Sequence, residues 1–220
     1  QAAVTRWGWP EAQRHLAEAC EGQDPSSIYR LANLVTPDLI RVEADELTYD
    51  LHVMVRFEIE QALISGDLAV RALPDLWNEL YREYLGVEVP DDARGCLQDV
   101  HWSCGLFGYF PTYTLGNLYA AQFAAKADEA LGGLDALMMA GEFGPLREWL
   151  WDNVHRHGRR YSPAQLCERA TGAPLVVAAG VHARIVITLL QHTIHIMCKE
   201  GQSCDPVFAF TSARFLPPPR

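Results

Sequence analysis

Hydrophobic side chains recur with helical spacing through the first 172 residues, and most of these runs begin at a cap or proline and end at a glycine. The pattern predicts a helix over residues 10–20, a short helix from Ser26, and a long helix over 37–64. Further helices are predicted over 74–85, 111–131, 144–157 and 163–171. No alternating strand pairs and no internal repeat interrupt them, so the sequence predicts an all-α fold.

The sequence changes character at Ala173, after which β-branched and nearly uncharged residues lead to a final LPPPR. This segment carries four basic and two acidic residues, a net charge of 4 − 2 = +2. Since the whole chain carries −10, residues 1–172 carry −12. We therefore predict a helical body over 1–172 and a divergent tail over 173–220. The tail is interpreted as a substituted C-terminus that is loosely packed and sensitive to protease.

The long predicted helix carries polar groups on a surface that is otherwise largely apolar. At 100° per residue, four polar side chains fall within about 60° of arc: Arg41, Asp45, Thr48 and His52. A buried charge costs several kcal/mol unless it is paired, so this stripe indicates a polar cavity. The alternative is an ordinary i, i+4 ion pair between Arg41 and Asp45 at the surface.

Composition narrows the classes of function. A net charge of −10 without a basic stripe argues against a nucleic-acid partner. The N-terminus carries no targeting pattern and no apolar run reaches roughly 18 residues, so we expect a cytoplasmic location and no membrane partner. The six cysteines form no C-x-x-C pair, which indicates neither a disulfide framework nor a zinc ribbon.

Two segments resemble hallmark motifs of the carboxypeptidase Taq family of zinc metallocarboxypeptidases. IRVEADELTYDLH (40–52) is similar to the family's I-R-x-x-A-D motif, and GCLQDVHWSCGLFGYFPTYTLGN (95–117) is similar to G-x-x-Q-D-x-H-W. The resemblance continues through LPDLWNELYREYLGV, LYAAQF, GEFGPLREWL and LCERATG, and so covers residues 1–172 in order. It implies an all-α bundle that forms one wall of a deep groove. It also implies hydrolysis of the last bond of peptides with a free C-terminus, with broad specificity, by a homodimeric enzyme.

The metal motif of that family does not occur in this sequence. The family holds zinc, which cobalt can replace, with a His-Glu-x-x-His helix and a downstream Glu, both preceding the I-R-x-x-A-D motif. No His-x-x-x-His exists here, and His192 and His195 have no acidic residue between them. The chain therefore resembles the C-terminal third of the enzyme. We expect no metal ligands and no hydrolysis from this chain alone.

The resemblance assigns chemical roles to residues of the two motifs. Arg41 is the candidate for binding the peptide's terminal carboxylate, since its planar fork matches a carboxylate with two hydrogen bonds. His101 and Tyr109 are the candidate catalytic donors, because a His N–H and a Tyr hydroxyl can be aimed at a developing oxyanion. Gln98 and Tyr113 are the further candidates for binding substrate.

Three other polar residues, Asp45, His52 and Asp99, are expected to support and orient these groups. Each role has a structural alternative: Tyr113 could be a core aromatic, and His101 a buried structural histidine. A second hypothesis for the whole chain also stays open, namely a non-catalytic helical remnant that binds peptides or dimerises with a full-length relative.

Overall fold

A computed structural model describes residues 4–176 of the 220-residue chain. This part consists of helices and connecting loops without a strand, which confirms the all-α prediction. The α-helices in chain order are α1 Trp9–His15, α2 Ala17–Cys20, α3 Pro25–Ala32, α4 Tyr49–Ser65, α5 Leu73–Leu85, α6 Pro111–Leu131, α7 Leu134–Ala140, α8 Gly144–Asn153 and α9 Pro163–Thr171. Short 3-10 turns cover Arg41–Glu43, Val70–Ala72 and His155–His157, and a π-helical turn covers Val4–Gly8.

The hydrophobic core lies between α4 and α5. Helix α5 begins with a proline in its first turn and ends at Gly86, which has a left-handed conformation. Its buried face packs against α4. Trp77 and Tyr81 on that face stack with ring centroids 4.9 Å apart, and both are almost completely buried. Truncating an aromatic side chain of this kind typically costs about 3–5 kcal/mol, so this contact anchors the body.

The long helix α6 packs against α4, α8 and α9. Pro111 opens it and Gly132, with φ of 75°, ends it, as the sequence predicts. A buried polar contact ties it to α4, because the Thr114 hydroxyl donates to the Asp50 carboxylate at 2.6 Å. Burial raises the pKa of Asp50 above its ordinary value.

The prediction of one helix over 37–64 is wrong in its first part, because α4 begins only at Tyr49. Asp45 prevents the earlier start. Its carboxylate accepts hydrogen bonds from the backbone N–H of Leu47 and Thr48 and from Thr36 N–H. A side chain that captures nearby N–H groups in this way competes with helical hydrogen bonds, so the chain before α4 is a capped loop.

Other helix boundaries differ from the predicted ones. The helix predicted over 10–20 is divided at Leu16, whose φ of −131° is not helical. The third helix is capped by Asp24 rather than by the serines, since Asp24 accepts from the N–H groups of Ser26 and Ser27. The helix predicted over 144–157 ends at Asn153 and continues as a 3-10 turn. Helix α7 was not predicted.

The start of the predicted tail runs beside α6. The Gln122 side chain donates to the carbonyl of Pro174 at 3.0 Å and accepts from Val176 N–H at 2.8 Å. The prediction for the remainder of the tail, residues 177–220, lies outside the described residues. Among the helices of residues 4–176, none combines the length and apolar character that crossing a membrane requires.

Candidate substrate-binding site

Arg41 lies in a 3-10 turn and is only 5% exposed. Its Nε and Nη2 donate to the Asp99 carboxylate, with the shortest distance, 2.7 Å, between Nη2 and Oδ1. Its Nη1 donates to the Tyr49 hydroxyl at 2.8 Å. These contacts use three of the five N–H groups of the guanidinium, which leaves two without a hydrogen bond to the described residues.

A second arginine, Arg56 on α4, holds the other oxygen of the same carboxylate. Its Nε donates to Asp99 Oδ2 at 2.6 Å. Its remaining N–H groups reach the His52 carbonyl, the Tyr81 hydroxyl and the Gln98 side chain. Arg56 is fully buried, and its guanidinium lies 4.6 Å from the centroid of the Trp77 ring.

Arg56 is not among the site residues predicted from the sequence. A signal for it was present, because every fourth residue from the N-cap of α4 as far as Glu60 is polar: Thr48, His52, Arg56 and Glu60. All four are buried. Extending the polar stripe toward the C-terminus from His52, rather than back to Arg41, identifies the residues that face the interior.

Gln98 connects the two arginines. Its Oε1 accepts from the backbone N–H of Arg41 and from Arg56 Nη2, both at 2.9 Å. Its Nε2 donates to the carbonyls of Leu39 and Arg94. The amide therefore uses its oxygen and nitrogen within the chain. We refer to Arg41, Arg56, Gln98 and Asp99 as the arginine cluster.

The arginine cluster carries surplus positive charge, since two guanidinium groups share one carboxylate. Burial alone raises the pKa of Asp99, but hydrogen bonds and charge from Arg41 and Arg56 outweigh it and hold the pKa below the usual range. Burial, reinforced by the two arginine charges, lowers the pKa of His52 to about 4, so this histidine is neutral at pH 7. Arg41 and Asp99 thus both stay ionised at pH 7, and the arginine cluster keeps its net positive charge.

A group of three ring side chains, which we call the aromatic rim, borders the cluster: His101, Tyr109 and Tyr113. His101 Nε2 and the Tyr113 hydroxyl are hydrogen-bonded at 3.0 Å. The other ring nitrogen, Nδ1, lies 3.7 Å from Asp99 Oδ1 and is buried, without a hydrogen bond to any residue in the described range 4–176. The Tyr109 ring packs against His101 with centroids 5.6 Å apart, and this tyrosine is 44% exposed.

The structure brings five of the predicted site residues into one connected group: Arg41, Gln98, Asp99, His101 and Tyr113. Gly95, at the start of the second motif, is tightly surrounded, because a Cβ there would lie 2.8 Å from Val89 Cγ1 and 3.1 Å from the Asp91 carbonyl oxygen. Position 95 therefore accepts no larger residue without displacing a neighbour.

Asp45 and His52 take positions other than those the predicted stripe gives. Asp45 caps the start of α4 and is absent from the ion pairs of Arg41, so the alternative of an Arg41–Asp45 pair is wrong. His52 lies below the cluster, with Nδ1 3.0 Å from the Tyr81 hydroxyl. The prediction that these four polar side chains lie on one face of a helix is wrong, because Arg41 and Asp45 precede α4 and do not share its helical geometry.

Across residues 4–176, the structure groups no three His, Cys, Asp or Glu side chains closely enough to hold a metal ion. The polar groups around the cluster are guanidinium, amide and hydroxyl groups, the His101 imidazole and a single carboxylate already bound by two arginines. This part of the chain therefore does not fit a zinc site.

Comparisons with known proteins identify the family of this chain. The family described as Carboxypeptidase Taq (M32) metallopeptidase matches residues 3–182, so the chain belongs to that family. Carboxypeptidase 1 of Bacillus subtilis is 51% identical over 148 residues, which are 67% of this chain and 30% of the relative. Thermostable carboxypeptidase 1 of Thermus thermophilus is 55% identical over 140 residues, 64% of this chain and 28% of the relative.

Solved structures show the same fold. The crystal structure of the M32 carboxypeptidase from Deinococcus radiodurans R1 superposes with a TM-score of 0.77 at 42% identity, covering 86% of this chain and 38% of that one. The chain thus spans about 30% of the length of the curated relatives it matches.

Proposed function

We propose that this chain forms the part of an M32 metallocarboxypeptidase that recognises the C-terminal carboxylate of a peptide and stabilises charge on the scissile carbonyl. The observation that carries the proposal is the surplus positive charge of the arginine cluster. Two N–H groups of Arg41 have no hydrogen bond to the described part of the chain, and its guanidinium lies 4.9 Å from the Tyr113 ring centroid, at the border of the rim. An arriving carboxylate would neutralise the surplus charge.

The aromatic rim supplies the donors for the second task. His101 and the Tyr109 hydroxyl are proposed as catalytic groups, because their ring atoms adjoin each other and Tyr109 is open to a bound peptide. Tyr113 is proposed to contact substrate and to hold the His101 ring through their 3.0 Å hydrogen bond. These donors act on the oxyanion that forms when water adds to the carbonyl.

The supporting residues take revised roles in this proposal. Gln98 is proposed to hold Arg41 rather than to bind the peptide backbone, since its amide is already engaged by Arg41, Leu39 and Arg94. Asp99 fixes the Arg41 guanidinium, and His52 supports Tyr81 underneath. Asp45 acts only by setting the start of α4.

Zinc, or cobalt in its place, is proposed to be held in the complete enzyme by residues other than those described here. The substrates are peptides with a free C-terminus, and the complete enzyme is proposed to be a cytoplasmic homodimer. The 220-residue chain alone is then expected to release no C-terminal residues, because a hydrolytic zinc needs three protein ligands and an open position.

A chimera tests the proposal: residues 4–172 replace the matching part of the Bacillus subtilis Carboxypeptidase 1. We expect the chimera to release C-terminal residues, a chelator to abolish the release, and zinc or cobalt to restore it. The isolated chain is the control and should be inactive. A folded, zinc-loaded chimera without activity would count against the proposal. Zinc-dependent release of C-terminal residues by the isolated chain would contradict the proposal that other residues of the complete enzyme hold the metal.

A further inference from the structure

We infer that Arg56 is a positioning residue for the carboxylate site, which sets the orientation of Arg41 through Asp99 and Gln98. The inference rests on the proposed function of Arg41. It starts from the fact that Arg56 contacts two consecutive residues of the motif, and both of these contact Arg41.

The Asp99 carboxylate is held by both arginines. The shortest contact of Oδ2 is to Arg56 Nε at 2.6 Å, and the shortest contact of Oδ1 is to Arg41 Nη2 at 2.7 Å. Arg41 Nε also reaches both oxygens, but at the longer distances of 3.2 and 3.3 Å. Because the terminal torsion of an aspartate is broad, the short bond from Arg56 limits the rotation of the carboxylate to which Arg41 is bound.

Gln98 gives Arg56 a second route to Arg41. The Gln98 oxygen accepts from Arg56 Nη2 and from the Arg41 backbone N–H, both at 2.9 Å. Arg56 therefore helps to fix the backbone of Arg41 as well as its guanidinium. Arginine suits this task because its rigid fork reaches both partners at once, which a lysine ammonium does not do.

Arg56 itself has no means of touching a substrate. It is 0% exposed, and its five N–H groups are all used by Asp99, His52, Tyr81 and Gln98. Its guanidinium lies 4.6 Å from the centroid of the Trp77 ring and 5.4 Å from that of the Phe110 ring. Any effect of Arg56 on substrate recognition must therefore pass through the residues that it holds, and two of these, Asp99 and Gln98, contact Arg41.

The test compares Arg56→Lys with Arg82→Lys in the 220-residue chain. Arg82 is the matched control, since it also binds a carboxylate, that of Glu88 at 2.7 Å, but at an exposed position. The first readout needs no ligand: the NMR signal and solvent exchange of the Arg41 Nε–H. We expect Arg56→Lys to shift this signal and speed its exchange about tenfold, and Arg82→Lys to leave it unchanged.

The second readout is binding of acetyl-dialanine and of its C-terminal amide, measured by NMR titration. We expect Arg56→Lys to lower the ratio of acid to amide affinity about tenfold, mainly through the acid. An unchanged Arg41 signal in a folded Arg56→Lys variant overturns the positioning role. A changed Arg41 signal with no acid preference even in the unaltered chain supports the positioning role and contradicts the proposed carboxylate binding instead.

A second variant covers the case in which Arg56→Lys does not fold, as judged by circular dichroism. Gln98→Met removes the route through the Arg41 backbone, together with the other Gln98 hydrogen bonds, and leaves the Asp99 route in place. The Arg41 Nε–H should therefore shift in the same direction by a smaller amount. No shift in a folded Gln98→Met variant, where the Gln98 link to Arg56 is absent, would show that Arg56 does not act through this residue and would overturn that part of the inference.

Discussion

The arginine cluster and the aromatic rim lie side by side, yet they differ in how their polar atoms are satisfied. In the cluster, Arg56 and Gln98 use all of their polar atoms within the chain. At the rim, His101 Nδ1 has no hydrogen bond to the residues that the structure describes, and Tyr109 is 44% exposed. A binding site needs both properties, namely rigidly held supporting residues and polar groups that can still bind a ligand. Arg41 combines them, because Asp99 and Tyr49 hold its guanidinium while two of its N–H groups have no hydrogen bond within residues 4–176.

The largest effect is expected from Asp99→Asn, which leaves two buried guanidinium groups without a counter-charge. Breaking a buried pair in this way typically costs about 3–5 kcal/mol of unfolding free energy. Asp91→Asn is the matched control, since Asp91 also pairs with an arginine, Arg94, at 2.7 Å but at the surface. Urea unfolding of both variants measures the difference. Equal losses would mean that burial does not distinguish the cluster from an ordinary surface pair.

A smaller effect is expected from acid, through His52 beneath the cluster. The unfolded chain takes up this proton near pH 6.5, but the folded chain only near pH 4. The unfolded state therefore binds more protons in this window, so stability falls as pH decreases from 6.5 to 4, by about 3 kcal/mol in total.

The matched variant for this pH dependence is His52→Gln, which keeps a polar partner for Tyr81 but does not titrate. Asp50 acts in the opposite direction, because its raised pKa lets the folded state bind a proton first. Subtracting the variant's stability curve from that of the unaltered chain isolates His52. A flat difference between pH 6.5 and 4 would contradict the lowered pKa.

Substitutions of the two rim tyrosines should differ in their effects on the free energy of unfolding and on turnover. Tyr113→Phe removes the one hydrogen-bond partner that His101 Nε2 has among the described residues, and it should cost about 1 kcal/mol in unfolding free energy. Tyr109→Phe should leave stability unchanged, because its hydroxyl makes no hydrogen bond with the described residues.

In the chimera, Tyr109→Phe and His101→Ala should lower kcat more than they raise KM, since these donors act in the transition state. Unchanged kcat in both variants places the oxyanion donors elsewhere.

The smallest effect is expected at Gly116, on α6 away from the cluster. This glycine is exposed within a helix, and a Cβ there would meet nothing within 4 Å. Gly116→Ala should therefore stabilise the chain by about 0.5–1 kcal/mol through the lower entropy of the unfolded state. Thermal unfolding measures this change. A loss of stability would show a contact that the described residues do not account for.

The sequence patterns predicted the helices best where local signals act alone. Helix α6 has proline at its start and glycine at its end, and both boundaries were predicted. Helix α4 was predicted too long, because the Asp45 side chain competes with helical hydrogen bonds and hydrophobic spacing does not register that competition. Motif resemblance located Arg41, Asp99 and His101, whereas Arg56 depends on a contact between α4 and a loop distant in sequence.

The most direct test of carboxylate recognition is Arg41→Met in the chimera, assayed with peptides that end in a free carboxylate or in an amide. If Arg41 holds the terminal carboxylate, kcat/KM for the free acid should fall by the equivalent of about 2–4 kcal/mol, while the amide loses little. Equal losses for the two peptides would show that Arg41 only supports the fold, and would contradict its role as the carboxylate-binding residue.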